Sequence, residues 1–318
     1  MERRSPMERR CVGKVVIVTG AGRGIGRGEA LEFARHGARV VVNDYGVDVH
    51  GQGPTSEAAN AVVEEIRAMG GEAVANADDV SDPAGAERLI ATALDTWGQL
   101  DVLVNNAGIL RDRTLANMSV DEWDDVIRVH LRGTFLTMHH AAVHWKAQAK
   151  SGAEQDVRVI NTSSHSGLIG NPGQSNYGAA KAGIAALTII AAQELQRYGV
   201  AVNAISPTAL SRMTEDRPFA QKYVDLPEDT FNAIAPGNVA PMVTWLGTDA
   251  ARGITGRVFF VAGGQVAVAE PWQEGPKADK GARWEVAELD DVVPDLLARA
   301  RYQGWSKPKV APDAPAKV

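Results

Sequence analysis

The sequence has few of the features that mark secreted, membrane or nucleic-acid-binding proteins. It contains one cysteine, Cys11, in 318 residues, which excludes an intrachain disulfide and favours a reducing cytoplasm. The longest near-continuous apolar stretch, residues 182–192, has about half of the ~20 residues that a bilayer-crossing helix needs, so we predict no membrane span. Lys and Arg number 33 against 39 Asp and Glu, and no long basic stretch occurs. Nucleic acid is therefore not an expected partner.

The overall composition is that of a soluble globular chain. Hydrophobic residues make up 45% and charged residues 23% of the sequence, so a sizeable core can form. The N-terminal stretch "MERRSPMERRC" is basic but lacks the apolar segment and small-residue cleavage site of a secretory signal.

Apolar, β-branched runs alternate with helical patterns along most of the chain. We predict strands at 14–19, 38–43, 72–76, 101–106, 157–163, 200–206 and 257–261, and helices at 24–36, 56–69, 83–97, 121–147, 174–198 and 238–247. Strands that are apolar on both faces and joined by helices favour a parallel sheet covered on both sides. The predicted fold is therefore α/β, a single Rossmann-type doubly wound parallel sheet of about seven strands with helices on both faces.

We expect one main domain and a C-terminal extension. The main domain is predicted over 12–270, including a substrate loop at 207–235, and the extension covers 271–318. The end of the extension, "SKPKVAPDAPAKV", has no core-forming residues and is predicted to be disordered. Three tryptophans of the extension leave open whether it docks on the main domain or on a neighbouring subunit: Trp272, Trp284 and Trp305.

A glycine-rich stretch, "VTGAGRGIG" at 18–26, directly follows the first predicted strand. It does not match the spacing Gly-x-Gly-x-x-Gly, but Thr19 and Gly20, followed by Gly24 and Gly26, fit a turn between a strand and a helix. Such a turn places backbone N–H groups and a helix N-terminus beside a pyrophosphate, where side chains would block the approach. The predicted cofactor contacts of this turn are Gly20, Arg23, Gly24, Ile25 and Gly26.

The preferred dinucleotide is predicted from the end of the second strand. Asp44 can accept hydrogen bonds from an adenosine ribose and would repel a 2′-phosphate, which favours NAD. Arg23 argues the other way, since a cation in the turn could hold that phosphate. We give Asp44 more weight because its charge would meet the phosphate directly. Further along, Asp79 and Val80 are expected near the adenine, and Asn106 where the fourth strand meets the cofactor.

The stretch "SSHSGLIGNPGQSNYGAAKAG" supplies candidate reacting groups. Tyr177 and Lys181 are four residues apart, a spacing that places both on one face of a helix. Ser164 lies at the end of the fifth predicted strand, thirteen residues before Tyr177, where the chain can bring it close to the tyrosine. A neighbouring ammonium and an oxidised nicotinamide favour the phenolate, so Tyr177 would take an alcohol proton as hydride leaves the same carbon, with Ser164 holding the oxygen. Ser163 and Ser166 are rival serines, expected instead in caps or turns.

These motifs together resemble those of the short-chain dehydrogenase/reductase family. "TGAGRGIG", "NNAG", Ser164 and "YGAAK" occur in order, and the resemblance covers roughly residues 12–268. "NNAGILRDR", "RVHLRGTF" and "GNPGQSNYGAAK" narrow it to a branch resembling the (3R)-hydroxyacyl-CoA dehydrogenase part of peroxisomal multifunctional enzymes, also known as 17β-hydroxysteroid dehydrogenases type 4.

The resemblance implies further residue roles. Tyr177 and Lys181 would also contact the cofactor, together with Pro207, Ala209 and Leu210, although their loop "SPTALSRMT" departs from the family's usual Pro-Gly loop. His130 stands where most members have an asparagine, and either orders a relay water or packs against the neighbouring strand. Family members pair long helices into dimers or tetramers, and the apolar helix at 178–192 is compatible with a homodimer or homotetramer.

The expected activity is NAD-dependent oxidation of a 3-hydroxyacyl-CoA to the 3-oxoacyl-CoA. Arg111, Arg113 and Arg132 are candidate partners for the CoA phosphates, or else ordinary surface cations. One alternative substrate is a free steroid alcohol. Another is a 3-oxoacyl carrier protein, which would be reduced with NADPH in the reverse direction; Asp44 argues against this alternative because it favours NAD. A third class is a nucleotide-binding regulator without catalysis, which the set of Ser164, Tyr177 and Lys181 disfavours.

No metal site is predicted, and the expected location is the cytoplasm. The last three residues, Ala-Lys-Val, differ from the peroxisomal signal Ser-Lys-Leu.

Overall fold

The computed structural model describes residues 9–46, 55–210, 223, 226, 230–270 and 272–301. These residues fall into two compact units, the first ending at Ala269 and the second beginning at Glu270. Most of the predicted substrate loop at 207–235 lies outside the described residues, and so does most of the stretch "YGVDVHGQGPTS" at 45–56, which follows β2 and is rich in glycine.

The first unit is built on an eight-stranded sheet in the order β3-β2-β1-β4-β5-β6-β7-β8. The strands are β1 (Val15–Thr19), β2 (Arg39–Asn43), β3 (Glu72–Asn76), β4 (Val102–Asn105), β5 (Val157–Thr162), β6 (Val200–Thr208), β7 (Val258–Ala262) and β8 (Gln265–Val268). Seven strands are parallel, which confirms the predicted doubly wound sheet. The eighth, β8, was not predicted; it pairs with β7 in the antiparallel direction.

The helices of the first unit cover both faces of this sheet. They are α1 (Gly24–Arg35), α2 (Glu57–Ala68), α3 (Pro83–Trp97), α4 (Val120–Ile127), α5 (Gly133–Lys150), α6 (His165–Leu168), α7 (Ser175–Leu195) and α8 (Ala240–Leu246). One apolar cluster includes Phe33 of α1, Val62 of α2 and Val243 of α8. The other includes Leu89 of α3 and Trp145 of α5. Since each face of the sheet has its own cluster, the strands are apolar on both sides.

The predicted continuous helix over 121–147 is wrong in one respect. A π-helical turn, Arg128–Arg132, separates α4 from α5. A π-turn inserts one extra residue into the helix and therefore leaves little trace in an apolar pattern. The four-residue helix α6 was also not predicted, because it is too short to show a period.

The point at which the strand order reverses lies between β1 and β4. The first strand pairs with β2 on one side and with β4 on the other, so the connections leave in opposite directions there. In open sheets of this kind, ligands bind outside the carboxyl ends of the strands at such a point. Thr19 and Asn105 end the two strands, which places the crevice beside the glycine turn.

The second unit contains one α-helix among its described residues, α9 (Leu289–Arg299), preceded by a 3-10 turn, Val286–Glu288; the sequence analysis did not predict it. None of its residues is buried. No helix in the described parts of the chain is long and apolar enough to cross a membrane.

Candidate active site

The glycine turn joins β1 to α1 with a backbone that excludes side chains. Gly20 and Gly24 have positive φ angles of 62° and 56°. A Cβ on Gly26 would lie 2.4 Å from the carbonyl oxygen of Gly20 and 2.5 Å from Nδ2 of Asn106. Arg23 occupies the N-cap position of α1, where its side chain is exposed and makes no capping hydrogen bond.

Asn106 and Thr19 tie the ends of β4 and β1 together. The Thr19 hydroxyl accepts hydrogen bonds from the backbone N–H groups of Asn106 (3.0 Å) and Ala107 (3.1 Å). The side-chain amide of Asn106 donates to the carbonyl oxygens of Thr19 (3.0 Å) and Gly20 (3.1 Å). Asn106 therefore fixes the glycine turn against the carboxyl end of β4.

Asp44 lies beside the glycine turn at the end of β2. One carboxylate oxygen accepts the backbone N–H of Gly22 at 2.8 Å, and the other accepts that of Gly46 at 2.7 Å. Both bonds hold the carboxylate where the second strand meets the turn, which is the position from which it could reach a ribose bound there.

Asp79 and Val80 follow β3 at the same edge of the sheet. Oδ1 of Asp79 accepts hydrogen bonds from the backbone N–H and the hydroxyl of Ser81, at 2.8 and 2.6 Å, and Oδ2 lies 3.4 Å from the Arg128 guanidinium. Val80 is buried. The carboxylate thus orders the turn after β3 and connects it to the π-turn.

The predicted residues near the nicotinamide follow β6. Pro207 lies within this strand, Ala209 is buried just beyond it, and Leu210 donates its N–H to the carbonyl oxygen of Ile234 at 2.5 Å. The residues from 211 to 222 lie outside the described part of the chain.

The three candidate reacting residues come together at the carboxyl edge of β5. Ser164 follows β5 and forms the N-cap of α6, where its hydroxyl accepts the N–H of Ser166 at 3.2 Å. Tyr177 and Lys181 lie one turn apart on α7, with Nζ of Lys181 5.5 Å from the centre of the tyrosine ring. The Lys181 ammonium donates to the carbonyl oxygen of Thr162 at 2.6 Å. The predicted proximity of the three is therefore found.

Burial shifts both titrating groups toward their neutral forms. The pKa of Tyr177 is raised to about 12, chiefly by burial, while a hydrogen bond with Ser164 acts in the opposite direction. The pKa of Lys181 is lowered to about 7 by burial. The surrounding protein thus keeps the phenol protonated near neutral pH and leaves the lysine poised between its two forms.

The rival serines have structural partners. Ser163 is buried and donates its hydroxyl to the carbonyl oxygen of Lys181 at 2.8 Å, whereas Ser166 donates to Oε1 of Gln174 at 2.6 Å. Ser163 thus supports the helix that carries the lysine, and Ser166 belongs to the turn before that helix.

His130 is buried in the π-turn between α4 and α5. Its Nε2 lies 3.0 Å from the backbone nitrogen and 2.8 Å from the carbonyl oxygen of Ile109, and its ring meets that of Tyr177 edge-on at 5.2 Å. A Cβ on Gly108 would lie 2.2 Å from the imidazole, so this glycine makes room for the ring. The pKa of His130 is lowered to about 3, first by burial and then by Lys181, which keeps it neutral. The ring packs against Gly108 and Ile109 in the segment that follows β4, and the ordering of a relay water stays a prediction.

The arginines considered for CoA lie near the same edge. Arg111 lies 3.4 Å from the carboxylate of Asp125, and Arg113 lies 3.0 Å from that of Glu122. Arg132 is exposed. The first two thus have acidic partners on α4.

Sequence reasoning missed three residues of the site. Gln174 donates from Nε2 to both carboxylate oxygens of Asp112, at 3.1 and 3.0 Å. Asn176 donates to the carbonyl oxygens of Arg111 (3.0 Å) and Glu122 (2.9 Å). No spacing rule joins positions more than fifty residues apart, although all three residues lie inside stretches that we had noted as motifs.

Comparison with protein families agrees with the geometry. The sequence profile described as short chain dehydrogenase matches residues 14–221. The chain belongs to the short-chain dehydrogenase family. This dehydrogenase is therefore an oxidoreductase, and its family uses a nicotinamide cofactor.

Known relatives cover most of this dehydrogenase. It is 45% identical over 293 residues to hydroxyacyl-CoA dehydrogenase ChsB1 of Mycobacterium tuberculosis, covering 90% of this chain and 89% of that one. It is 50% identical to peroxisomal multifunctional enzyme type 2 of Mus musculus, covering 74% of this chain but 30% of that one. A crystal structure of a short chain dehydrogenase from Mycobacterium avium matches with a TM-score of 0.82 and 55% identity, over 92% of this chain and 96% of that one.

Proposed function

We propose that this dehydrogenase oxidises a (3R)-3-hydroxyacyl-CoA to the 3-oxoacyl-CoA with NAD as hydride acceptor. The observation that carries the proposal is the grouping of Ser164, Tyr177 and Lys181 beside the glycine turn, in a chain whose relative over 90% of its length is named a hydroxyacyl-CoA dehydrogenase. The stereochemistry follows the resemblance to the peroxisomal multifunctional enzymes and is part of the proposal.

The residues around the glycine turn fit a dinucleotide. Any Cβ at Gly26 would meet the backbone of Gly20, so glycine there permits the close turn that would present backbone N–H groups to a pyrophosphate. The residues that would hold the dinucleotide are Gly20, Arg23, Gly24, Ile25, Gly26, Asp44, Asp79, Val80, Asn106, Tyr177, Lys181, Pro207, Ala209 and Leu210.

Asp44 supports NAD over NADP. Its carboxylate is held by the N–H groups of Gly22 and Gly46, so it would stay in place rather than turn away from a 2′-phosphate. The exposed Arg23 is the only opposing cation of the turn itself, and it has no bond that fixes it at the N-cap.

The chain's own groups account for the proton transfer. Ser164 orients the alcohol oxygen through its hydroxyl, and Tyr177 accepts the alcohol proton as the C–H bond of the same carbon breaks. Lys181 stabilises the phenolate in its charged form, which its pKa of about 7 makes available near neutral pH. When bound, oxidised NAD supplies the hydride acceptor and a positive charge that favours the phenolate.

A second candidate function has a relative in its favour. The chain is 42% identical to a 3-oxoacyl-[acyl-carrier-protein] reductase of Synechocystis, over 80% of this chain and 97% of that one. The same three residues would then run the reaction in the reducing direction, and the carrier would be a protein. Asp44 counts against this candidate if the reductant is NADPH.

The two candidates are separated by initial rates on a matched panel. We would follow the NADH absorbance band with (3R)- and (3S)-3-hydroxyacyl-CoA and with free steroid alcohols, using NAD and NADP in parallel, and the reverse reaction with a 3-oxoacyl carrier protein. The proposal expects the highest kcat/KM for a (3R)-hydroxyacyl-CoA with NAD. Turnover confined to steroids, or a higher kcat/KM with the carrier protein and NADPH, would replace it.

The Asp44→Ala variant tests the cofactor assignment within the same panel. Loss of the carboxylate should lower the ratio of kcat/KM with NAD to kcat/KM with NADP by about tenfold or more, because the repulsion of the 2′-phosphate is lost with it. An unchanged ratio would remove Asp44 from the assignment.

A further inference from the structure

A chain of hydrogen bonds, three through side chains and the last through the backbone N–H of Ser166, links Asp112 to Ser164. Nε2 of Gln174 donates to both carboxylate oxygens of Asp112, at 3.1 and 3.0 Å. Oε1 of the same glutamine accepts the hydroxyl of Ser166 at 2.6 Å and the amide of Asn171 at 2.9 Å. The N–H of Ser166 in turn donates to the hydroxyl oxygen of Ser164 at 3.2 Å.

This chain is built into the fold rather than placed on the surface. Gln174 is 9% exposed and occupies the N-cap position of α7, where its carbonyl oxygen accepts the N–H of Gly178 at 2.7 Å. The N–H of Arg113 donates to the carbonyl oxygen of Gly173 at 2.9 Å, so the segment after β4 is also bound through its backbone to the turn before α7. Because Tyr177 lies in the first turn of α7, whatever fixes Gln174 also fixes the start of the helix that carries the tyrosine.

We propose that Asp112 is a positioning residue of this site: by orienting Gln174, and through it Ser166, it sets where the Ser164 hydroxyl stands relative to Tyr177. A glutamine side chain can turn by 180° about its terminal bond and exchange oxygen for nitrogen. A carboxylate only accepts, so Asp112 selects the orientation in which Nε2 faces it and Oε1 faces Ser166. This inference rests on the alcohol oxidation at Tyr177 proposed above.

Asp112 also acts on the tyrosine through its charge. Its carboxylate adds to the effect of burial in raising the pKa of Tyr177. Among the described residues, Lys181 from its own helix and the neutral His130 from the π-turn also face the tyrosine. Removing the negative charge should therefore favour the phenolate and lower the pH at which Tyr177 ionises.

The effect of the Asp112 charge and the effect of the hydrogen bonds through Gln174 change the pH profile of kcat in different ways. Asp112→Asn is nearly isosteric and removes the charge, while Gln174→Ala keeps the charge and breaks the chain of hydrogen bonds. We expect Asp112→Asn to shift the profile for alcohol oxidation to lower pH by about one unit. In Gln174→Ala the plateau kcat should fall by about tenfold without that shift, because only the serine is displaced.

A double variant tests whether the two residues act along one path. We compare Asp112→Ala, Gln174→Ala and the variant that carries both changes. The plateau kcat of the double variant should be no lower than that of the less active single variant, since either change alone already releases Ser166. Asp124→Asn, an exposed carboxylate on α4, is the matched control and should leave both plateau and profile unchanged. Dinucleotide affinity should be unaltered in all variants, which would show that they fold.

The measurements use whichever alcohol of the panel the wild-type enzyme oxidises, so failure of the acyl-CoA proposal does not remove the test. If no alcohol is turned over, the phenolate absorbance of the dinucleotide complex, with Tyr177→Phe as blank, replaces the kinetic profile. The proposal is overturned if Asp112→Asn leaves both the pH profile and the plateau kcat at wild-type values. It is also overturned if the fold-loss of kcat in the double variant equals the product of the losses in the two single variants. An effect on KM alone would also overturn it.

Discussion

Glu29 is a carboxyl group buried inside α1, the helix that follows the glycine turn. It is fully buried, and neither of its oxygens has a hydrogen-bond partner among the described residues. Burial raises the pKa of this carboxyl from 4.5 to about 8, so the folded protein holds it protonated at neutral pH.

The shifted pKa of Glu29 predicts how stability depends on pH. Between pH 4.5 and about 8 the folded chain binds this proton and the unfolded chain does not, so the free energy of unfolding falls as pH rises. The total loss at pH 8 is on the order of 4 kcal/mol. We expect Glu29→Gln to leave the Tm near that of wild type at pH 5 and to raise it at pH 8, as measured by thermal unfolding.

The control for this prediction is Glu64→Gln, which changes an exposed glutamate on α2. It should move the Tm little at either pH. Equal shifts of Tm at pH 5 and pH 8 in Glu29→Gln would show that its ionisation does not govern the stability.

Residue spacing predicted the reacting groups but not their ionisation. Tyr177 and Lys181 were expected from a four-residue interval, which is a local property of a helix. Their pKa values depend on burial by β5 and the π-turn, elements that are distant in sequence. The expectation that a neighbouring ammonium and an oxidised nicotinamide favour the phenolate omitted this burial, which leaves the lysine only partly charged near pH 7. Asp112 and Gln174 were missed because their contact spans 62 positions.

At the scale of elements, the glycine turn can be tested by filling it. Gly26→Ala would bring a Cβ to 2.4 Å from the Gly20 carbonyl oxygen and 2.5 Å from the Asn106 amide, which forces the turn to move. We expect dinucleotide affinity to fall by more than tenfold, because the N–H groups of the turn lose their arrangement. Equilibrium titration of protein fluorescence with NAD measures the change.

Gly264→Ala is the matched control, since a Cβ there would meet no atom within 4 Å. It lies in the turn between β7 and β8. If both variants bound NAD as tightly as the wild type, the turn would not be the pyrophosphate site.

Physical reasons explain why the sequence patterns did not predict β8, the π-turn and α6. The strand β8 is exposed along its whole length and follows the dipeptide Gly263-Gly264, a hairpin signal that we did not use because the apolar runs of the other strands dominated. The π-turn and α6 are each too short for a period to show. Five of the parallel strands, by contrast, are almost wholly buried, and their apolar runs made them readable; they are β1, β2, β4, β5 and β6.

At the scale of the whole molecule, we propose that the chain forms a homodimer or homotetramer. Phe135 and Val143 on α5 are 48% and 55% exposed, and Ile190 on α7 is 52% exposed. Large apolar side chains left on two long helices favour burial against another subunit.

Light scattering after size-exclusion chromatography measures the assembly. We expect a mass of two or four chains for the wild type and a shift toward one chain for Val143→Glu. Val12→Glu, at an exposed apolar position before β1, should keep the wild-type mass. A wild-type mass of one chain at micromolar concentration would contradict the proposed assembly.

The central claim is that Tyr177 transfers the proton in NAD-dependent oxidation of a hydroxyacyl-CoA. The most direct measurement compares kcat of wild type and Tyr177→Phe with (3R)-3-hydroxyacyl-CoA, while NAD affinity is measured in parallel. The account predicts a fall in kcat of about a hundredfold or more with NAD affinity within a few-fold of wild type, because the lost hydroxyl carries the proton and the ring remains. A Tyr177→Phe enzyme that keeps wild-type kcat would contradict it.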